Sequence, residues 1–148
     1  MIHTYGVVNA SEYLSKQLNL SKEDSDLAKL IALLHDIGRF EQSKMSSDVY
    51  DSADANIFDH AIYGVKILFE DNLIRNFIEE NTYDNIIYKS ILNHNKIDIE
   101  NGLNEKELLH VKIIRDADKI DIYRANYETG LHVIYHVTKE ELLNSEIT

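Results

Sequence analysis

The chain has 148 residues, 44% of them apolar, and a formal net charge of −11. This length fits a single domain, and the apolar fraction is sufficient to bury a core. The negative charge argues against nucleic-acid binding, because an acidic surface repels a phosphate backbone. The absence of cysteine excludes disulfides and thiolate metal sites. With no membrane-length apolar run and no signal peptide, we expect a cytoplasmic protein that binds no membrane.

The sequence predicts an all-α protein. It contains no proline and only five glycines, a composition that favours long uninterrupted helices. Apolar residues recur at helical spacing almost throughout, and no segment shows the sustained alternation of a strand. The first helix carries His3, Val7, Ala10 and Leu14 on one apolar stripe. Further helices are predicted over 59–69, 71–79, 83–94 and 105–125, with another helical segment around 127–136.

The second predicted helix begins at Ser21-Lys-Glu-Asp24, which resembles a capping box. From Leu27 to Leu34 it is apolar nearly all round, which is typical of a central, buried helix. Gly38 fits the C′ position that follows a helix. Residues 41–58 are polar, small and irregular, so we expect a long loop there with a functional or mobile character.

Two capping patterns organise the C-terminal half. Asn104 and Glu107 predict a capped start for the long helix 105–125. Thr138-Lys-Glu-Glu141 is a second capping box, but it lies close to the last residue, Thr148. We expect residues 1–148 to form one domain, either complete or truncated at its C-terminus.

The sequence LLHDIG over residues 33–38 places two ionisable side chains, His35 and Asp36, at the end of a buried helix. Burying them without a partner costs roughly several kcal/mol, so they need compensation. A divalent cation would provide it. Capping of the helix, or pairing with neighbouring side chains, is the alternative, and the two residues alone leave both open.

More side chains of this kind lie on apolar helix faces: His3, His60, His94 and Asp118. Gly64 follows His60 by one turn, where a missing side chain would let another helix approach closely. One histidine on an apolar stripe is usually a core residue. Several of them together with a His-Asp pair favour a divalent metal site, because imidazole nitrogen and carboxylate oxygen suit such ions.

The order His3, His35-Asp36, His60, His94 and Asp118 resembles the H…HD…H…H…D signature of HD-domain proteins. The stretches HTYGVV, LLHDIGRFEQ, ILNHNK and IIRDADKID each resemble that superfamily, over roughly residues 3–125. The resemblance implies a compact helical bundle with a metal site at its centre. It implies one metal position at His3, His35, Asp36 and Asp118, and a second at Asp36, His60 and His94. Asp121 is a rival to Asp118 as the last ligand, whereas Asp116 is expected to point away.

The same resemblance implies one or two divalent ions per chain (Mn, Fe, Co, Ni, Zn or Mg) and metal-dependent phosphohydrolase activity. A phosphorylated small molecule, a phosphate monoester or a nucleotide-type compound, is the expected substrate. The chain lacks the GYP motif of cyclic di-GMP hydrolases and the HDxxED arrangement of ppGpp hydrolases. Two alternatives stay open: a di-iron oxygenase of the HD type, and a non-catalytic sensor that binds a nucleotide.

Cations near the predicted ligands could hold a phosphate. Arg39, Lys96 and Lys119 are predicted to bind substrate, and Arg39 and Lys119 are predicted to act in catalysis together with Asp36. Arg115 could do the same or form salt bridges with surface acids. Glu41 is interpreted as a solvated loop residue, with a role beside the metal or as general base as the alternative.

The remaining histidines carry less weight. His132 and His136 stand at i, i+4, but no HExxH motif surrounds them. His110 is interpreted as structural or exposed.

Overall fold

The computed structural model describes residues 2–46 and 58–129, together with Thr138 and Glu140. Within these residues the protein is all-α, with no strand, as the sequence predicts. The helices are α1 (Ile2–Gln17), α2 (Lys22–Leu34), α3 (Arg39–Ser46), α4 (His60–Val65), α5 (Asp84–Asn93) and α6 (Glu105–Thr129). A π-helical turn, Lys66–Glu70, continues α4, and a 3₁₀ turn covers Leu73–Asn76. No helix in the described part of the chain is long and apolar enough to cross a membrane.

The central position predicted for α2 is confirmed. This helix packs against α1, α5 and α6. Leu27, Ile31 and Leu34 are buried in the core, where they meet Val7. Complete burial of one such side chain stabilises the fold by about 1.5–3 kcal/mol. Leu33 belongs to the apolar run but is not buried, because it is 46% exposed.

The capping predicted for α2 is present at its N-terminus, where Ser21 is the N-cap residue, but not at its C-terminus. The Ser21 hydroxyl accepts a hydrogen bond from the Asp24 N–H at 3.0 Å, and it donates to the Asp24 carboxylate at 3.1 Å. At the other end the helix stops at Leu34, and Gly102 is the one glycine with positive φ among the described residues. The predicted C′ role of Gly38, which requires the left-handed conformation, is therefore wrong.

The loop predicted over 41–58 is wrong in its first part, where α3 forms. Arg, Glu, Gln, Lys and Met in RFEQSKMS are good helix formers, and their propensity outweighs the polar, irregular appearance of the segment. Glu41 lies in the first turn, where a negative charge stabilises the helix dipole. The Ser43 hydroxyl donates to the Arg39 carbonyl at 3.0 Å. Residues 47–57 of the predicted loop lie outside the described residues.

The predicted start of α6 is confirmed by a reciprocal capping box. The Glu107 N–H donates to Asn104 Oδ1 at 2.9 Å, and the Asn104 N–H donates to Glu107 Oε2 at 3.0 Å. The helix continues past its predicted end at 125 to Thr129, so the segment predicted around 127–136 begins inside it. The rest of that segment lies outside the described residues, as do two of the four residues of the 138–141 capping box.

Candidate metal centre

The chain brings five helices to one point. His3 lies in the first turn of α1, His35 and His94 directly follow α2 and α5, His60 begins α4, and Asp118 lies within α6. The ends of helices carry carbonyl groups without helical partners, which can fix the orientation of a neighbouring side chain. The structure therefore brings together all the side chains that are predicted to be metal ligands.

The first group of these side chains forms around Asp118. Its Oδ1 lies 3.1 Å from His3 Nε2 and 3.7 Å from His35 Nε2. Asp36 Oδ2 lies 3.5 Å from His35 Nε2 and 3.9 Å from His3 Nε2. Two ligand atoms at about 2.0–2.2 Å from one small ion are about 3–3.5 Å apart. The four atoms could therefore bind a single divalent cation if the longer of these distances shortened by a few tenths of an ångström, roughly.

The second group forms around the other oxygen of Asp36. Its Oδ1 lies 3.3 Å from His60 Nε2 and 3.6 Å from His94 Nε2, and the two Nε2 atoms are 3.1 Å apart. Asp36 thus turns one oxygen to each group, as expected of a bridging ligand. His35 lies close to both groups, because its Nε2 is also within 4.8 Å of ligand atoms of Asp36 and His94.

Three of the imidazoles have a fixed tautomer. Nδ1 lies 2.7 Å from Asp121 Oδ2 in His3, 2.7 Å from the Ala32 carbonyl oxygen in His35, and 2.6 Å from the Ile91 carbonyl oxygen in His94. Carbonyl and carboxylate oxygens only accept hydrogen bonds, so each Nδ1 carries the proton. In a neutral ring, Nε2 then presents a lone pair to the centre of the group.

Whether the residues fit a metal can be judged from the hydrogen-bond partners that the buried atoms of the cluster lack. The Nε2 atom of His35 and Oδ1 of Asp36 are buried and make no hydrogen bond to a described residue. A buried polar atom without a partner costs about 1–3 kcal/mol, and lone pairs that face each other repel. A cation between them relieves both. The nitrogen and oxygen donors, with no sulfur, suit Mn, Fe, Co, Ni, Zn or Mg. The residues fit one or two such ions.

The electrostatics of the cluster keep its carboxylates ionised. Burial alone raises the pKa of Asp36, but the facing imidazoles of His60 and His94 hold that pKa well below its ordinary value. Burial also opposes ionisation of Asp118, yet its pKa is held well below the ordinary value by the imidazoles of His3 and His35. The contact with Asp118 raises the pKa of His3 against the opposing effect of burial. Ionised carboxylates are the form that binds a cation.

Asp121, the rival ligand, has a different place. It is 1% exposed, and besides His3 Nδ1 its carboxylate contacts Arg124 Nε at 2.6 Å. This geometry favours Asp118 as the ligand, because Asp121 contacts the other nitrogen of His3 and orients its ring. A Cβ atom at Gly6 would overlap the Asp121 carboxylate, so the glycine makes room for it. Sequence reasoning missed Gly6, although its position one turn after His3 on the same helix face was a signal.

The three cations that are predicted to bind phosphate differ in their contacts with the cluster. Arg39 Nε lies 2.8 Å from Asp36 Oδ2, and its side chain is 53% exposed. In the described part of the chain, neither Lys96 nor Lys119 forms an ion pair with Asp36 or Asp118. Of the three predicted cations, Arg39 is the one that forms an ion pair with a predicted ligand in the described part of the chain.

The structure describes two of the other residues considered from the sequence, His110 and Glu41. His110 is buried, with Nε2 3.1 Å from Asp24 Oδ1, so it links α6 to α2 as a structural histidine. Glu41 belongs to α3 rather than to a loop. His132 and His136 lie outside the described residues.

An all-α bundle that brings four imidazoles and two carboxylates together defines a class, the helical proteins with a His/Asp cluster that could hold a metal. The family model described as HD domain matches residues 1–123, and the chain belongs to this family. In general, the HD domain indicates the superfamily of metal-dependent phosphohydrolases, and its members typically bind divalent metals. No curated protein and no solved structure matches the chain.

Three aspartates of α6 provide a graded test of the first group. Asp118→Ala should abolish binding of one ion, because it removes a ligand. Asp121→Ala should weaken that ion by about 10–100-fold, the usual effect of losing the partner of a metal-binding histidine. Asp116→Ala should bind as the wild type does, because Asp116 is exposed. Calorimetric titration of chelator-stripped protein with Mn²⁺ measures all three. Equal affinities in the Asp116 and Asp118 variants would refute the assignment.

Proposed function

We propose that the protein is a metal-dependent phosphohydrolase that cleaves a phosphorylated small molecule, either a phosphate monoester or a nucleotide-type compound. The division of the two Asp36 oxygens between two ligand groups, with a guanidinium at 2.8 Å, is the observation that carries this proposal. Divalent ions held there would supply a water of lowered pKa and neutralise charge on the phosphoryl oxygens.

Substrate can reach the cluster from one side. The His3 side chain is 33% exposed and that of Asp118 is 16% exposed, whereas those of His35 and His94 are 0% and 1% exposed. The buried imidazoles close the inner side of the cluster and exclude water there. A phosphate would therefore approach along the edge formed by His3, Asp36 and Asp118.

Arg39 stands at this edge and is the strongest candidate for phosphate binding. Its Nε is paired with Asp36, and the guanidinium makes no other hydrogen bond to a described residue. The terminal nitrogens of an arginine can hold two phosphoryl oxygens in a planar fork. Arg39 would then orient the phosphorus towards the cluster while it stabilises the negative charge that develops. We propose supporting roles in substrate binding for Lys96 and Lys119, and a catalytic role for Lys119.

Arg39→Ala should lower kcat/KM by about ten-fold or more while metal content is retained, because a charge-assisted contact to substrate is lost. Arg39→Lys should recover part of the loss, since it keeps the charge without the fork. Lys96→Ala and Lys119→Ala should lower kcat/KM in the same direction. Wild-type kinetics in Lys119→Ala with metal retained would remove Lys119 from the site, and the same result in Arg39→Ala would remove Arg39.

The reaction itself is tested by a screen of phosphorylated metabolites with Mn²⁺, Co²⁺, Mg²⁺ and Ni²⁺, run beside elemental analysis of the purified protein. Phosphate release that requires both metal and Asp36 is the expected result. Two outcomes would contradict it. Oxygen consumption by the iron-loaded protein, without phosphate release, would indicate the di-iron oxygenase. Tight nucleotide binding without turnover would indicate a sensor.

A further inference from the structure

The segment 93–97, which begins at the last residue of α5 and carries His94, is held by hydrogen bonds of its own residue Asn93. Asn93 is fully buried, and its Nδ2 donates to the Lys89 carbonyl at 2.8 Å and to Glu100 Oε2 at 3.0 Å. Its Oδ1 accepts the Glu100 N–H at 3.2 Å. The residue before His94 is thus fixed to the preceding helix and to the chain that follows.

Arg115 of α6 holds the same segment from a second direction. Its Nη1 donates to the carbonyl of Asn93 at 2.7 Å and to that of Lys96 at 2.5 Å, and its Nη2 donates to the carbonyl of Ile97 at 2.9 Å. These carbonyls lie on both sides of His94 in the chain. Arg115 precedes Asp118 by three residues, so the helix that supplies Asp118 also fixes the backbone around His94.

Asn95 holds the segment from a third direction. Its Nδ2 donates to Asp59 Oδ1 at 2.9 Å. The same oxygen caps α4, because it accepts the N–H groups of Ala61 at 2.9 Å and Ile62 at 3.4 Å. His60 directly follows Asp59, and His94 directly precedes Asn95. The side chains adjacent to the two histidines are therefore joined by a hydrogen bond.

We propose that Asn95 and Arg115 are positioning residues that set the spacing of His60 and His94, and with it the affinity of the second metal position. Neither side chain supplies a ligand atom. The Nε2 atoms of the two histidines are 3.1 Å apart, a separation that fits two ligands of one cation when both nitrogens are unprotonated. Metal–ligand distances in protein sites lie within about 0.2 Å of their standard values, so a displaced 93–97 segment must be pulled back when the cation binds, and binding is weakened. The inference rests on the metal centre of the proposed function, and it is independent of the reaction catalysed there.

The experiment compares Asn95→Ala and Arg115→Ala with two matched controls. Asn101→Ala removes an exposed asparagine from the connection between α5 and α6 that also contains Asn95. Arg75→Ala removes an arginine that holds the opposite end of α5, through Asp84, and the Glu79 carbonyl at 3.1 Å. Full-length protein is stripped with chelator and titrated with Mn²⁺ alone in a calorimeter. Thermal unfolding of each variant is recorded beside the titration.

In Asn95→Ala and Arg115→Ala the second equivalent of Mn²⁺ should bind about ten-fold more weakly or worse, while the first binds as in the wild type. Arg115→Lys should restore part of the loss, because an ammonium can still reach one carbonyl. Both controls should keep the wild-type affinities. This pattern would support positioning even if the protein hydrolyses no phosphorylated compound, a result that would refute the proposed function alone.

Three results would overturn the inference. One is a wild-type protein that takes up a single Mn²⁺, since there would be no second position to set. Another is an unchanged second affinity in both Asn95→Ala and Arg115→Ala. The last is an equal loss in Arg75→Ala, because general destabilisation of α5 would then explain the effect without any role for the two residues.

Discussion

Asp36→Ala is expected to remove most of the bound metal and nearly all hydrolytic activity. Among the described residues, Asp36 is the one side chain that turns an oxygen to each ligand group, with Oδ2 3.5 Å from His35 Nε2 and Oδ1 3.3 Å from His60 Nε2. Its loss takes a ligand from both positions and leaves imidazoles facing one another. Elemental analysis of protein purified without chelator measures the metal, and phosphate release measures the activity.

Single histidine variants provide the comparison for Asp36→Ala. His60→Ala and His94→Ala each remove a ligand from the second group alone, so they should leave about one ion bound. Asp36→Asn is the second comparison, because it keeps the volume and loses the charge that attracts a cation. Metal content at the wild-type level in Asp36→Ala would contradict the bridging role, and wild-type occupancy in both histidine variants would make those histidines ordinary core residues.

The ligand set could be proposed from the sequence because two independent regularities coincide. Helical periodicity places His3, His94 and Asp118 on the buried faces of their helices, and the His35-Asp36 pair marks the end of a buried helix. Buried ionisable groups need partners, so several of them in one small domain imply a common partner. The structure brings these side chains together in the two groups that the resemblance to HD-domain proteins implies.

The residues that support these ligands could not be predicted, because they act over long sequence separations. Asp121 lies 118 residues from His3, with which it forms a hydrogen bond. Arg115 binds backbone carbonyls, and any residue type could supply those, so no sequence pattern indicates the contact. The sequence leaves open whether Arg115 binds phosphate or pairs with surface acids, and in the structure its guanidinium donates to three backbone carbonyls.

The error at α3 has a local cause. Most residues of 41–58 are small and polar, and the segments on either side are more apolar, so the whole range resembles a loop. The helix-forming residues at its start do not change this composition enough to indicate a helix. Propensity and hydrophobic periodicity give different answers where a helix is short and mostly polar in sequence, as Arg39–Ser46 is. The glycines posed a different problem, because sequence alone does not distinguish a glycine needed for its backbone conformation from one needed for space.

Gly38→Ala is expected to lower the free energy of unfolding by about 1–3 kcal/mol or more, the usual range for an overpacked site. A Cβ at Gly38 would overlap the His60 carbonyl oxygen and lie 2.8 Å from the Gly64 backbone nitrogen. Both are backbone atoms, so no side-chain rotation relieves the overlap, and α4 must move away from the turn that carries His35 and Asp36. His60 moves with it, and the second metal position should weaken at the same time.

Gly64→Ala is the matched control, because it adds the same methyl group to the other side of the same contact. Its Cβ would lie 3.4 Å from Ile37 Cγ2 and 3.5 Å from the Gly38 nitrogen, which is ordinary van der Waals contact. Alanine also favours a helix over glycine by about 1 kcal/mol, so stability should be unchanged or slightly higher. The sequence predicts a close approach at Gly64, and the structure shows that Gly64 faces Gly38, where the space for a methyl group is missing on the Gly38 side. Urea unfolding of the two variants decides between them: greater destabilisation in Gly64→Ala would restore the sequence-based interpretation, and equal stability in both would mean that the contact tolerates a methyl group on either side.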